Sequence, residues 1–181
     1  MVARSPWWPY VAIDNVAARL QVDAAVFEFG GGGSTLWLAG RVDRLTTVEH
    51  DPGWFRELTR SIEETADFHV ELRESSITGT VSSVVEPGRF FDNYVSAIES
   101  QLDDSLDLVI VDGRARVECA LAAKRKIKPG GMLLLDDSDR PRYQRIHSEL
   151  CDWAALTARG LKSGSTDLAQ STVWTKPASV G

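Results

Sequence analysis

Short apolar runs alternate along this chain with stretches whose apolar residues recur at helical spacing. That alternation predicts an α/β fold built on a mostly parallel sheet. The runs are AAVFEF (24–29), RLTTVEH (44–50), FHVELRE (68–74), LDLVIVDG (106–113) and GGMLLLDDS (130–138). LVIV and MLLL are continuously apolar, as central strands covered on both faces require. FHVELRE alternates instead, with Phe68, Val70 and Leu72 on one face, which suits a sheet edge. STVWTK (171–176) reads as a further strand, paired as a hairpin with a segment near 161–168.

The intervening segments carry helix punctuation. HDPGWFRELTRSIEET (50–65) offers Asp51 as an N-cap and Pro52 at the first helical position, with Trp54, Phe55, Leu58 and Ile62 on one stripe. RARVECALAAKRKIKPGG (114–131) groups Val117, Ala120, Leu121 and Ile127 and stops at Pro129-Gly130-Gly131. Lys124, Arg125, Lys126 and Lys128 then fall in the last turns of that helix, where they suit its dipole. Residues 1–22 are expected to hold an N-terminal helical segment, and 75–105 a loop followed by a helix from about Asn93. No repeat or long linker divides the chain, so residues 1–181 are expected to form one domain.

Composition narrows the partners. A net charge of −6 argues against a nucleic-acid partner, which would call for a basic face. No stretch approaches the roughly 20 apolar residues of a membrane span, and the N-terminus lacks a signal-peptide core. Cys119 and Cys151 lie far apart with no CxxC spacing, as free thiols in a reducing compartment would. The expectation is a cytoplasmic protein acting on a small molecule, away from membranes.

The most informative stretch is EFGGGGST (28–35). A strand, a glycine run and a helix let the backbone turn tightly and approach a nucleotide-like ligand. A second strand ends at Glu49, 21 residues after Glu28, where such folds accept hydrogen bonds from ribose hydroxyls. No lysine follows the glycines, which rules out a P-loop. A GxGxxG fingerprint would need its third glycine at Thr35. Glu28 would also face the negative charge of a pyrophosphate. A ligand without phosphates, carrying a cationic centre and an amino-acid tail, suits that acid better, and S-adenosylmethionine is such a ligand.

EFGGGGST followed by TTVEHD resembles the first two motifs of class I S-adenosylmethionine-dependent methyltransferases. The family's E/D-x-G-x-G-x-G falls on Glu28, Gly30 and Gly32 and departs from the pattern at Ser34, beside Gly33. LDLVIVDG resembles the fourth-strand motif, and IKPGGMLLLDDS the turn into the fifth strand. The resemblance implies a doubly wound, mostly parallel seven-stranded sheet of order 3-2-1-4-5-7-6 with helices on both faces. It also implies that the cofactor is held by Glu28, Gly30, Gly31, Gly32, Ser34, Thr35, Glu49, His50 and Asp112. Glu28 would organise the loop and Glu49 would hold the ribose, with adenine near residues 74–76.

Asp112 ends the fourth strand, and Asp136, Asp137 and Asp139 follow the fifth, so these acids should border one crevice. In catechol-type metal-dependent O-methyltransferases, the positions of Asp112, Asp136 and Asp137 hold magnesium, though with Asn at the last. The lysine expected three residues after the first ligand falls here on Ala115. Magnesium is therefore not expected. The alternative is that Asp112 orients or deprotonates the acceptor, anchored by Arg114 and Arg116, while Asp137 and Asp139 cap the next helix. Arg140 and Arg142 join those arginines in a set whose planar forks suit a carboxylate or phosphate, or else the neighbouring aspartates. Tyr94 and Tyr143 read as core or rim packing.

Neither H-x-E, HExxH nor G-x-S-x-G occurs, which argues against a zinc enzyme and an α/β-hydrolase. Trp54, Trp153 and Trp174 read as core, and Trp7 and Trp8 as a cover for the crevice. The expected activity is methyl transfer from S-adenosylmethionine to a small acidic or hydroxylated acceptor. The rivals are a cofactor-binding module of the same fold and an NAD-dependent oxidoreductase.

Overall fold

The computed structural model describes residues 4–62 and 67–178. β1 (Ala25–Phe29) is buried along its whole length and lies in the interior of a seven-stranded sheet. It pairs in parallel with β2 (Arg44–Glu49) on one side and β6 (Leu106–Val111) on the other. β3 (Phe68–Leu72) adds to β2 in parallel at one edge, where its half-exposed alternation belongs. β7 (Ile127–Leu135) continues in parallel beyond β6. β9 (Leu168–Thr175) and β8 (Ala154–Leu161) complete the other edge as an antiparallel hairpin. The sheet order is β3-β2-β1-β6-β7-β9-β8, which is the 3-2-1-4-5-7-6 arrangement expected.

Both faces of the sheet are covered, and strict alternation assigns side chains to each. Val109, Val111, Leu133 and Leu135 join Phe27 and Phe29 in one core. α5 (Arg116–Ala123) and α6 (Gln144–Glu149) supply Cys119, Ala120 and Ile146 to that core. Leu108, Ile110, Met132 and Leu134 point the other way, with Val26, against α1 (Tyr10–Arg19) and α2 (Gly33–Leu38). α3 (Pro52–Thr59) follows β2 and buries Leu58 against Leu36 and Val70. Among the described residues, no helix is long and apolar enough to cross a membrane.

Several elements differ from the sequence expectation. The partner of β9 is residues 154–161, and Leu161 pairs with Leu168 at the hairpin's end, so 161–168 is the connection. Helix α5 ends at Ala123, and Ile127 already pairs with Leu106. The ladder resumes with Met132 opposite Leu108, so residues 128–131 bulge from the strand, with Gly130 at φ +79°. Pro129-Gly130-Gly131 is therefore a strand irregularity and not a helix stop. The basic cluster leaves the helix with it: Lys126 bonds Asp103 at 2.8 Å, Arg125 pairs with Glu99, and Lys128 reaches Asp107.

Residues 75–105 hold a small hairpin, β4 (Ser82–Ser83) and β5 (Glu86–Phe90), before α4 (Asp92–Val95) and a 3-10 turn. Asp51 caps α3 through the Trp54 N–H at 2.7 Å, while the expected helix end at 63–65 lies outside the described residues. Trp54 is 36% exposed, not core. Asp137 and Asp139 cap no helix: α6 begins after Tyr143 without a side-chain cap, and Asp137 pairs with Lys162 and Arg140.

Trp8, expected over the crevice, is instead fully buried and meets Trp37 edge-on, with ring centroids 6.5 Å apart. Its indole N–H has no hydrogen-bond partner among the described residues. Trp8→Ala should therefore destabilise the fold by about 3–5 kcal/mol. Trp8→Phe, which keeps an aromatic ring and removes the unpaired donor, should cost far less. Urea unfolding of both variants checks this, and equal losses would contradict it.

Candidate active site

The loop after β1 is held by two acids. Glu28 is fully buried, and its carboxylate accepts hydrogen bonds from Ser34 Oγ, Thr35 Oγ1 (2.6 Å) and Thr47 Oγ1 (2.9 Å). Thr35 Oγ1 in turn accepts the Gly32 N–H at 2.8 Å. Glu49, also buried, accepts the Gly31 N–H through Oε2 at 3.0 Å. The Gly30 N–H donates to the Val48 carbonyl at 2.8 Å. Three successive glycine amides are thus engaged within the protein, so the loop does not present them to a phosphate as a P-loop would.

Gly30 has φ +91°, and a Cβ there would come within 2.6 Å of the Gly113 Cα. The loops after β1 and β6 therefore touch backbone to backbone. Gly113 has its own constraint, since a Cβ would fall 2.0 Å from the hydroxyl of buried Tyr94. The contact lies between β1 and β6, where the direction of strand order reverses and the carboxyl ends of the strands open a crevice.

That crevice is a cleft of about 660 Å³. Gly30, Gly31, Gly32, Ser34, Glu49, His50, Asp112, Arg114 and Arg116 all line it, so the structure gathers most of the sequence-predicted set in one place. Glu28 and Thr35 are not on its wall and sit buried beneath the loop. Trp7 borders the cleft, and Trp54 joins the rim by donating its indole N–H to the Gly31 carbonyl at 2.6 Å. Tyr94 and Tyr143 are buried in the core.

Glu49 Oε1 accepts the backbone N–H groups of His50 (2.7 Å) and Asp51 (2.8 Å). His50 Nδ1 lies 2.8 Å from the same oxygen but makes no aligned hydrogen bond with it. The other ring nitrogen, Nε2, approaches Glu86 Oε1 at 3.2 Å, and Arg114 Nε donates to that oxygen at 2.7 Å. Although burial works against its charge, Arg114 and His50 hold the Glu86 carboxyl below its ordinary range.

Across the cleft, Arg116 ties the ends of β6 and β7 together. It donates to Asp112 Oδ1 (2.9 Å), to the carbonyls of Asp112 (2.9 Å) and Gly113 (3.0 Å), and to the Asp136 carbonyl (2.6 Å). Burial, and then the neighbouring Asp136, push the Asp112 carboxyl up to about 7 despite Arg116. Burial likewise raises Asp136, which accepts from Ser171 Oγ at 2.6 Å. Asp137 is held below its usual value, against burial, by Lys162 and Arg116. Lys162 Nζ lies 3.2 Å from Asp137 and 3.6 Å from Asp136.

These contacts do not fit a magnesium site. Arg116 and Lys162 already supply positive charge to the three aspartates. Among the described residues no group of three His, Cys, Asp or Glu side chains is arranged to hold a metal ion.

Glu86, Arg89 and Lys162 also line the cleft and were not singled out from sequence. Glu86 and Arg89 arrive on the β4–β5 hairpin, and Lys162 at the β8–β9 turn, where it bridges to Pro9. Only the Ser/Pro/Gly-rich character of 82–88 hinted at a turn there.

The family model described as a methyltransferase domain matches residues 27–138. Among solved structures, a methyltransferase-like protein from Silicibacter pomeroyi is 24% identical, with a TM-score of 0.57 over 97% of this chain and 94% of that one. A precorrin-6Y C5,15-methyltransferase from Geobacter metallireducens is 17% identical, with a TM-score of 0.59 over 91% and 86%. An rRNA methylase from Streptococcus thermophilus is 13% identical, with a TM-score of 0.59 over 92% and 95%. Each of these likenesses is one of fold. No curated protein matches the sequence.

Glu28 yields a pH prediction. Burial raises its carboxyl from 4.5 to about 7. Between those values the folded protein holds a proton that the unfolded chain has released, so stability falls as pH rises through that window and levels off above it. Glu28→Gln removes this contribution, and the loss of unfolding free energy between about pH 5 and 8 should shrink by about 2 kcal/mol. Urea titrations at the two pH values measure it, and an unchanged difference would refute the assignment.

Proposed function

Because the chain belongs to the methyltransferase-domain family, within the class I S-adenosylmethionine-dependent methyltransferase superfamily, we propose that it transfers a methyl group from S-adenosylmethionine to a small acceptor. The observation that carries this reading is the pairing of a glycine loop whose amides are engaged internally with a buried acid, Glu49, on the cleft wall. Such a loop suits a nucleoside without a phosphate chain. Glu49 Oε2 accepts one protein N–H, which leaves a lone pair for a ribose hydroxyl. Gly30, Gly31 and Gly32 would lie beside the ligand, with Ser34 and His50 near it. Glu28 and Thr35 would act from below by fixing the loop.

Bound there, S-adenosylmethionine supplies an electrophilic methyl group on a sulfonium, already a good leaving group. The protein's contribution is then to position the acceptor, exclude water and manage one proton. Arg116 holds Asp112 Oδ1, so Oδ2 is the oxygen that takes the acceptor's proton. With its carboxyl at about 7, Asp112 is matched to general-base work near neutrality. Arg116 positions Asp112, and Arg114, fixed by Glu86 through Nε alone, keeps its terminal nitrogens for the acceptor.

Calorimetry with S-adenosylhomocysteine tests the binding half. Glu49→Ala should weaken binding at least tenfold, about 1.4 kcal/mol. NAD(H) should not bind to either form. Wild-type binding of NAD(H) in preference to S-adenosylhomocysteine would overturn the reading. For the transfer half, methyl release into a metabolite pool should fall about a hundredfold or more in Asp112→Asn, with cofactor affinity kept. The wild-type rate should rise with pH through about 7, as Asp112 deprotonates, and the variant should lack that limb. Full turnover by Asp112→Asn would remove Asp112 from the mechanism.

A further inference from the structure

A second hollow adjoins the cleft. This groove of about 210 Å³ shares Gly113, Arg114 and Arg116 with it. Its walls are the tip of the β4–β5 hairpin, the start of α5 and the turn at Pro141–Tyr143. Val84 and Val85, 74% and 52% exposed, form an apolar lip opposite Tyr143.

The two hollows differ in charge. Seven carboxylates and four basic side chains line the cleft, which suits a cationic sulfonium. Four arginines, Arg114, Arg116, Arg140 and Arg142, line the groove against a single carboxylate, Glu118. Arg116 and Arg140 are occupied by Asp112 and Asp137. Arg142 makes no ion pair among the described residues, and its guanidinium lies 5.1 Å over the Tyr143 ring. An arginine stacked on an aromatic face with its donor edge unpaired is suited to a planar anion. Of the three residues the hollows share, Gly113 carries no side chain and leaves an opening between them.

We infer that this groove is the acceptor subsite and that it takes a small organic anion, a carboxylate or a phosphate. The anionic group meets Arg142 and the free nitrogens of Arg114, and the apolar body lies along Val84, Val85 and Tyr143. The nucleophile reaches across Gly113 towards Asp112. This rests on the methyl-transfer reading and adds to it the acceptor's charge and place. A nucleic-acid acceptor fits less well, because the groove is small and the chain carries a net charge of −6.

Ligand-observed NMR and calorimetry on the full chain saturated with S-adenosylhomocysteine test it. The probes are 4-hydroxybenzoate, phenyl phosphate and the neutral 4-hydroxybenzamide. At least one anion should bind at least tenfold more tightly than the amide. Arg142→Gln, an exposed position, should abolish that preference while leaving S-adenosylhomocysteine affinity within twofold. The inference is overturned if S-adenosylhomocysteine binds but neither anion does, if the amide binds equally well, or if Arg142→Gln keeps the preference. A short RNA that binds more tightly than either anion would overturn it too. Failure of S-adenosylhomocysteine itself to bind would instead bring down the methyl-transfer reading.

Discussion

A carboxylate with no access to water, next to the carboxyl end of the interior strand β1, is the constraint on which the site depends. Glu28 can be tolerated there only because hydroxyls from β2 and α2 converge on it. That convergence decides where α2 starts and how the intervening glycines run. Thr35 serves twice, donating to Glu28 and accepting from Gly32, so the acid acts on the loop through a side chain without touching the cleft. Glu49 repeats the device one strand over with a direct bond to Gly31. Two acids on neighbouring strands thus take up amides that a phosphate-binding loop would leave free. The hydrogen bonding of these amides therefore argues against a phosphate chain independently of the absent lysine.

The same fold positions the opposite side by a different means. The backbone contact between Gly30 and Gly113 brings the β1 and β6 loops together and leaves a sill at Gly113, flanked by Arg114 and Arg116, between the cleft and the groove. Tyr94 supports that sill from below. Carboxylates outnumber basic side chains on the cleft side and arginines outnumber carboxylates on the groove side, so the charge balance favours a cation on the first and an anion on the second.

Legibility from sequence followed the locality of the signal. β1, β2 and β6 are short, largely buried runs whose ends carry Glu28, Glu49 and Asp112, so pattern and chemistry were readable together. β8 was not, because it is exposed at nearly every position and has no alternation to detect. The end of α5 was misplaced because Pro129-Gly130-Gly131 breaks a helix and bulges a strand equally well. Only pairing with Leu106 and Leu108 distinguishes the two. Glu86, Arg89 and Lys162 were unreadable for a topological reason. They reach the cleft on a short hairpin and on the turn of an edge hairpin, and nothing in their immediate neighbours records that destination. Trp54 and Trp8 show the same limit, since helical or apolar context could not say which indole would face the cleft and which the core.

Lys162 also explains why the acids after β7 behave differently from one another. Three aspartates at adjacent strand ends repel, and some positive charge must be brought among them. Arg116 reaches Asp112 and, at 3.7 Å, Asp137, while Lys162 comes from the far edge of the sheet to Asp137 and Asp136. Asp137, which faces Lys162, Arg116 and Arg140, is held below its usual value. Burial raises both Asp136 and Asp112, and at Asp112 the neighbouring Asp136 adds to it. The antiparallel β8–β9 hairpin is what makes this possible, because its turn returns the chain to the carboxyl ends of the parallel strands. The protein thus brings side chains of its own to its second acidic site, and leaves Asp112 at the cleft wall with its carboxyl raised to about 7.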